Sequence, residues 1–111
     1  MPDPKYPFGP ATVETIGTHA ATRTVTVFNQ KHFLNLGTMT SDVALTVATD
    51  GELEAGAELV VIAKSDASAR NVNLTGALPA QMPGTISKTK VQTFVYTGSA
   101  WIAKGAIVQI D

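Results

Sequence analysis

The two histidines, His19 and His32, are the first side chains to consider for chemistry, because histidine is the commonest general base and a frequent metal ligand. Neither stands at the spacing of a catalytic or metal-binding motif. His32 lies beside Lys31 in an alternating segment, which favours a solvent-facing or locally hydrogen-bonded side chain, and His19 lies in an expected loop. We therefore assign no catalytic or metal-binding role to either histidine.

Three carboxylates, Asp50, Glu52 and Glu54, alternate along one short segment. Clustered oxygen ligands suit calcium, but this segment lacks the glycine and ligand spacing of an EF-hand loop. The pattern is better interpreted as a solvated, charged turn, and the sequence predicts no bound metal.

The serines that could act as nucleophiles fall in expected loops, and none of them has the G-x-S-x-G context of a nucleophile elbow. They are Ser65, Ser68, Ser87 and Ser99. A serine without an oriented base is inert, and no phosphate-binding glycine pattern occurs elsewhere in the chain. The sequence therefore predicts a protein that is not an enzyme and that uses no cofactor.

The remaining candidates are aromatic. Tyr96 and Trp101, the only tryptophan, flank the turn sequence "TGSA". The favoured interpretation is that the two rings pack across a hairpin. The alternative is a platform that stacks on a sugar ring or a partner surface, helped by a loop residue such as Arg70.

Composition restricts the classes of function further. The chain has 111 residues, no cysteine, 15% charged residues and a net charge of −1. A disulfide, a thiol nucleophile and a cysteine-bound metal are excluded, and the weak net charge argues against binding to nucleic acid or to an anionic membrane surface. No run of 18 apolar residues occurs, and the first residues lack the pattern of a signal peptide.

Short clusters of β-branched residues, bounded by Gly, Pro, Asp and Asn, predict strands throughout residues 22–111. Val43, Leu45 and Val47 alternate on one face, and the nearly continuous apolar run at 57–64 predicts a central strand that is buried on both faces. The Asp50-Gly51 pair predicts a tight hairpin with positive φ. We expect an all-β domain, a small antiparallel β-sandwich or barrel of jelly-roll type.

Residues 1–21 are predicted to form an extended N-terminal arm. Four of the six prolines lie in its first ten residues, and each favours extended backbone geometry. Aromatic side chains on a stiff segment lose little entropy on docking. The residues expected to bind a partner are Tyr6, Pro7, Phe8 and Pro10.

Residues 43–105 resemble the small β-structured modules of tailed-bacteriophage virion proteins, such as head fibres, decoration proteins and tail-fibre segments. The resemblance rests on "LEAGAELVVIAKSDASARNVNLTG" followed, after a proline-containing connection, by "TFVYTGSAWIAKG". The matching positions are Gly56, Leu74, Gly76, Tyr96, Gly98 and Trp101. The resemblance implies an oligomeric all-β protein that assembles on a phage particle and performs no chemistry.

From this resemblance we expect a capsid decoration (cement) or head-fibre protein, assembled in the host cytoplasm and located on the virion. Its partners would be the major capsid protein or another virion protein, and its own copies in a homotrimer. The alternative is a carbohydrate-binding or receptor-binding module of a tail-fibre tip, in which Tyr96, Trp101 and Arg70 form the surface that binds a glycan.

Overall fold

A computed structural model describes residues 12–15 and 21–111, and in these ranges the protein is all-β, as predicted. The described residues include no helix that could cross a membrane. The strands are β1 (Thr12–Thr15), β2 (Thr22–Val27), β3 (Lys31–Met39), β4 (Val43–Thr49), β5 (Glu58–Ser65), β6 (Val72–Thr75), β7 (Ala77–Leu78), β8 (Gln81–Met82), β9 (Thr89–Tyr96), β10 (Trp101–Ala103) and β11 (Val108–Gln109).

The strands form two sheets. Sheet A has seven strands in the order β1-β3-β5-β9-β10-β7, with β11 also paired to β9, and sheet B has the order β2-β4-β6-β8. From β1 to β6 the chain alternates between the sheets, and each strand pairs in parallel with the next strand of its own sheet. The chain therefore winds through three stacked coils, which is the arrangement of a short β-solenoid.

This parallel pairing corrects the prediction of an antiparallel sandwich or barrel of jelly-roll type. The predicted strands exist, and two sheets enclose the core, but short connections such as residues 28–30 and 40–42 lead to the opposite sheet instead of forming hairpins. Alternation of apolar and polar residues identifies a strand and its buried face, and it is the same for parallel and antiparallel partners. The partner of each strand was therefore not visible in the pattern.

The core lies between the sheets and is built from alternate residues of each strand. Val43, Leu45 and Val47 point inward from β4, as predicted. The other fully enclosed apolar side chains include Val25, Val27, Leu34, Leu36, Met39, Leu59, Val61, Val72, Leu74, Met82, Phe94 and Trp101. Burying side chains of this size contributes roughly 1.5–3 kcal/mol each, which gives so small a domain its main source of stability.

Strand β5 is central in sheet A, between β3 and β9, as predicted. Val61 points into the core and is fully buried, whereas Val60 and Ile62 point to the outside of the sheet and are half-buried. The prediction that both faces of this strand are buried is therefore confirmed only for the inner face.

Antiparallel strands cover the end of the third coil, with β9 paired to β5 and β8 paired to β6. Strands β9 and β10 form a hairpin whose turn contains Gly98 at φ 101°, and β11 returns to pair with the start of β9. The hairpin expected at Asp50-Gly51 is absent, because β4 and β5 lie in different sheets and Gly51 is not in the positive-φ region. These two residues instead form a corner in which the Asp50 carbonyl oxygen accepts the Leu53 N–H at 3.0 Å.

Candidate functional site

Trp101, the first residue of β10, covers the core beside the β9–β10 hairpin. Its side chain is 2% exposed. The indole Nε1–H donates to Oγ1 of Thr49, the last residue of β4, at 2.9 Å. Trp101 belongs to sheet A and Thr49 to sheet B, so this hydrogen bond ties the two sheets together.

Tyr96 packs beside Trp101 on the neighbouring strand. The two residues are direct cross-strand partners, their ring centroids lie 5.1 Å apart and their planes are inclined by 33°. The Tyr96 hydroxyl donates to the carbonyl oxygen of Gly98 at 3.0 Å and so holds the hairpin turn. The centroid distance lies within the range of roughly 4.5–7 Å that interacting aromatic pairs show, and packing across the hairpin is confirmed as the structural role of these rings.

Arg70 does not join the aromatic pair in a common platform in this geometry. It lies in the loop between β5 and β6, and its guanidinium donates to both oxygens of Asp66, at 2.9 and 3.1 Å. The hydrogen bonds from Arg70 lower the pKa of the Asp66 carboxyl, helped by the backbone N–H of Ser68. With the Trp101 ring enclosed, the described residues offer no open tryptophan face for a sugar.

A shallow depression lies beside this loop, and the volume it encloses is close to 0 Å³. It is lined by Met39, Ala63, Ser65, Arg70, Val72, Met82, Pro83, Gly84 and Lys90. Ligand pockets usually have volumes of roughly 300–1,000 Å³, so this depression does not have the size of a ligand pocket.

Beside the loop between β5 and β6, a ladder of hydrogen bonds from side chains to backbone groups links the corners of successive coils. Asp42 Oδ1 accepts the N–H of Asn71 at 2.9 Å, and Asn71 Oδ1 in turn accepts the N–H of Gly84 at 3.0 Å. Asp and Asn suit this role because their short side chains reach backbone groups that strands leave unpaired at corners. The ladder was not predicted from the sequence, although an Asp or Asn residue at each corner was its visible signal.

His32 is buried, which corrects the expectation of a solvent-facing or locally bonded side chain. It is 1% exposed, and its Nε2 lies 3.1 Å from Oε1 of Glu14, which is 18 residues away on β1. Arg23 on β2 approaches Oε2 of the same carboxylate at 3.7 Å. Glu14 thus links the sheets through side chains at the first coil, and the contacts are structural. His19 lies outside the described residues.

The acidic segment is an exposed corner. Asp50 Oδ1 accepts the N–H of Glu52 at 2.9 Å, and the N–H of Glu54 donates to the Gln30 side chain at 3.3 Å. Within residues 12–15 and 21–111, no group of three His, Asp or Glu side chains is arranged to hold a metal ion. Ser65, the most enclosed of the serine candidates, uses its hydroxyl to accept the N–H of Arg70 at 3.0 Å.

The outer faces of the two sheets differ in composition, and this difference marks the candidate interaction surface. On sheet A six of the outward side chains are apolar and pair across strands: Phe33 with Val60, Ile62 with Val91, and Val95 with Ile102. We call these six residues the apolar face of sheet A. On sheet B the outward residues are small or polar, and they include Thr22, Thr24, Thr26, Ala44, Thr46, Asn73, Thr75 and Gln81.

The four residues predicted to bind a partner, Tyr6, Pro7, Phe8 and Pro10, lie outside the described residues. Within the range 1–21 that was assigned to the arm, β1 is described, and it pairs with β3 at the edge of sheet A. A docking role for the arm therefore concerns residues 1–11, which precede β1 in the sequence.

Comparisons with known proteins add no identity to this geometry. No protein-family model matches the chain, and no curated protein matches it at a significant level.

Proposed function

We propose that this chain is a non-enzymatic structural protein of a tailed-phage virion, a capsid decoration (cement) or head-fibre protein that forms a homotrimer. It docks on the major capsid protein or another virion protein through its N-terminal arm and stabilises the particle. It is assembled in the host cytoplasm and resides on the virion.

The observation that carries this proposal is the role of the six residues that underlie the resemblance to phage modules. Gly56, Gly76 and Gly98 all have positive φ, between 92° and 101°, which favours glycine at turns. Leu74 and Trp101 are core residues. Tyr96 holds the hairpin turn through its hydroxyl. These residues build turns and core, which supports an architectural module.

Further support comes from the side chains that might have carried chemistry. His32 is engaged by Glu14, Ser65 by the Arg70 backbone, and Asp66 by the Arg70 guanidinium. A catalytic site requires a nucleophile, an oriented base and donors that converge on one point. Such a convergence does not occur among these contacts, so a scaffold role is the simpler explanation of this part of the chain.

A carbohydrate-binding or receptor-binding module is supported less well. It requires an aromatic face open to solvent, and the Trp101 side chain is 2% exposed. Support for this alternative comes only from the loop around Arg70, which is partly exposed. That loop joins β5 to β6 and is separate from the aromatic hairpin.

The arm is tested by deleting residues 2–11 and measuring co-sedimentation with particles of the phage whose genome encodes the chain. The deletion stops before Thr12, because the Asn29 amide donates to the Thr12 hydroxyl at the edge of sheet A. We expect a folded domain whose attachment to the particle is weakened by at least about tenfold, or about 1.4 kcal/mol.

The matched variants are a double substitution of the aromatic residues, Tyr6→Ala with Phe8→Ala, and a control in the same segment, Asp3→Ala with Lys5→Ala. The aromatic pair should reproduce most of the effect of the deletion, since apolar contacts anchor docking segments, and the control should bind almost normally. Unchanged attachment after the deletion would show that the arm is not the docking segment.

A further inference from the structure

We propose that the apolar face of sheet A is covered by another copy of this chain, so that it is the surface through which the protein self-associates. This deepens the proposed function, because it names the contact surface of the homotrimer. It depends on sheet A and not on the arm, so either proposal can fail without the other.

The first argument is the arrangement of the apolar side chains. Val60 and Ile62 lie at the centre of this face on β5, flanked by Phe33 on β3 and by Val91 and Val95 on β9. These five are only half-buried, and Ile102 on β10 is 47% exposed. In an isolated chain the face leaves a contiguous apolar layer in contact with water, an arrangement that marks interaction sites.

The second argument is the charge distribution over the same face. Charged residues lie at its ends: Lys31, Glu58 and Lys104 form an ion-pair cluster at one end, with nitrogen–oxygen distances of 3.1 and 3.4 Å, and Lys64 lies at the other. Between β3 and β9 the cross-strand rows through Val60 and Ile62 contain no charged residue. Val95 and Ile102 share the row of Lys31 and Glu58, and Lys104 lies next to Thr93 at the β10 margin. A partner can therefore cover the centre without burying an unpaired charge, and the charged margin gives an apolar centre with a polar rim.

The third argument is area. Strands lie about 4.8 Å apart and residues rise about 3.3 Å, so the face from β3 to β10 covers on the order of 400 Å² before the relief of the side chains is counted. A stable interface usually buries about 800 Å² on each partner, and the largest apolar patch on a typical monomer is about 300–600 Å². The face thus has the size of the largest apolar patch of a typical monomer, which is often functional, and supplies about half of the area that one partner contributes to a stable interface.

A second copy fits this surface better than an unrelated protein for two reasons. Another copy brings the same apolar side chains, and three identical faces can close around a three-fold axis, each covering part of the next. The net charge of −1 also imposes little repulsion between identical chains. The threonine-rich face of sheet B lacks the apolar area for such a contact, so the interface is one-sided.

The test is the solution mass, measured by light scattering over a range of concentrations, for the unchanged chain and for matched variants. Val60→Lys places a charge at the centre of the face, and Thr46→Lys places the same charge on the outer face of the central part of sheet B. We expect the unchanged chain and Thr46→Lys to be trimers, and Val60→Lys to associate at least about a hundredfold more weakly. Ile62→Thr, which keeps a β-branched residue, should weaken association without a new charge.

Circular dichroism and urea unfolding establish that each variant is folded before its mass is interpreted. If Val60→Lys does not fold, Ile62→Thr decides the question.

An unchanged chain that is monomeric at about 100 µM would overturn the inference, as would an oligomer that persists in both Val60→Lys and Ile62→Thr. A dimer sensitive to these two variants would support the surface and contradict the homotrimer of the proposed function. Loss of particle attachment by the arm deletion, with the oligomer intact, would support the arm alone.

Discussion

The indole N–H of Trp101 donates to the hydroxyl oxygen of Thr49 across the interior of the protein, from one sheet to the other, at 2.9 Å. The donor is buried, so a partner within the protein replaces the water it loses on folding. The tryptophan is therefore held both by the packing of its ring and by a polar contact that fixes its orientation.

Replacing Thr49 by valine should lower the free energy of unfolding by about 1–3 kcal/mol, because the shape is retained while the buried indole N–H loses its acceptor. Trp101→Phe should lower it too, and the double variant should cost less than the sum of the two, since they remove the same hydrogen bond. Urea unfolding monitored by circular dichroism measures all four proteins.

Thr46→Val is the matched control for this cycle. Thr46 is exposed on the outer face of the same strand, so the substitution should change the free energy of unfolding by no more than about 0.5 kcal/mol. Equal losses for Thr46→Val and Thr49→Val would contradict a specific role for the hydrogen bond.

Gly84 tolerates no side chain, because it lies against the loop that carries Arg70. A Cβ at this position would overlap the carbonyl oxygen of Arg70 and lie 2.5 Å from Oγ of Ser65. Gly84→Ala should therefore break the corner ladder and destabilise the protein by about 1–3 kcal/mol, as overpacking of a close contact does. The midpoint of urea unfolding reports the change.

Gly51→Ala provides the comparison at an open corner. A Cβ there has no neighbouring atom within 4 Å, and Gly51 is not in the positive-φ region. The substitution should leave stability unchanged or raise it by up to about 1 kcal/mol, because it restricts the unfolded chain. If Gly84→Ala behaved in the same way, the close approach of the two loops would be refuted.

Protonation of the Glu58 carboxylate should account for part of the stability that the protein loses in acid. The hydrogen bond from Lys104 holds the pKa of this carboxyl below its ordinary value of 4.5, and Lys31 adds to the effect while burial opposes it. A carboxyl with a lowered pKa in the folded state contributes stability that is complete above pH 4.5 and is lost as the pH falls through the folded pKa. Glu58→Gln should flatten this part of the dependence of unfolding free energy on pH.

Urea unfolding at one fixed protein concentration, from neutral pH to about pH 3, tests this dependence. Glu52→Gln makes the same substitution in the exposed corner and should keep the slope of the unchanged chain. A Glu58→Gln profile as steep as that of the unchanged chain would assign the acid sensitivity to other groups.

The sequence predicted the strands and their buried faces because alternation follows directly from the two-residue period of a strand. The inward residues Val43, Leu45 and Val47 and the central position of β5 are examples. It did not predict the parallel pairing, because alternation carries no information on which strand lies beside which. A corner of three residues between β2 and β3 has the length of a hairpin loop, although it crosses between sheets.

The polar contacts were harder to predict than the core. His32 and Glu14 are 18 residues apart, and their contact exists only because β1 and β3 pair in parallel. The same holds for Asp42 and Asn71, which belong to successive coils. Trp101 could be interpreted as a packed residue from its place in a hairpin, but its partner Thr49 lies 52 residues earlier in the chain. Long-range polar partners follow from topology, which one sequence did not reveal.

The coils are stacked in the order in which their residues are synthesised, and this has a consequence for folding. As the chain emerges from the ribosome, β3 can dock beside β1 and β4 beside β2 before β5 and β6 have emerged, so each coil has a template already in place. Trp101 is the last of the buried core residues to be made. Coil stacking can therefore begin during translation, whereas the tie between the sheets through Thr49 forms only after every coil has been laid down.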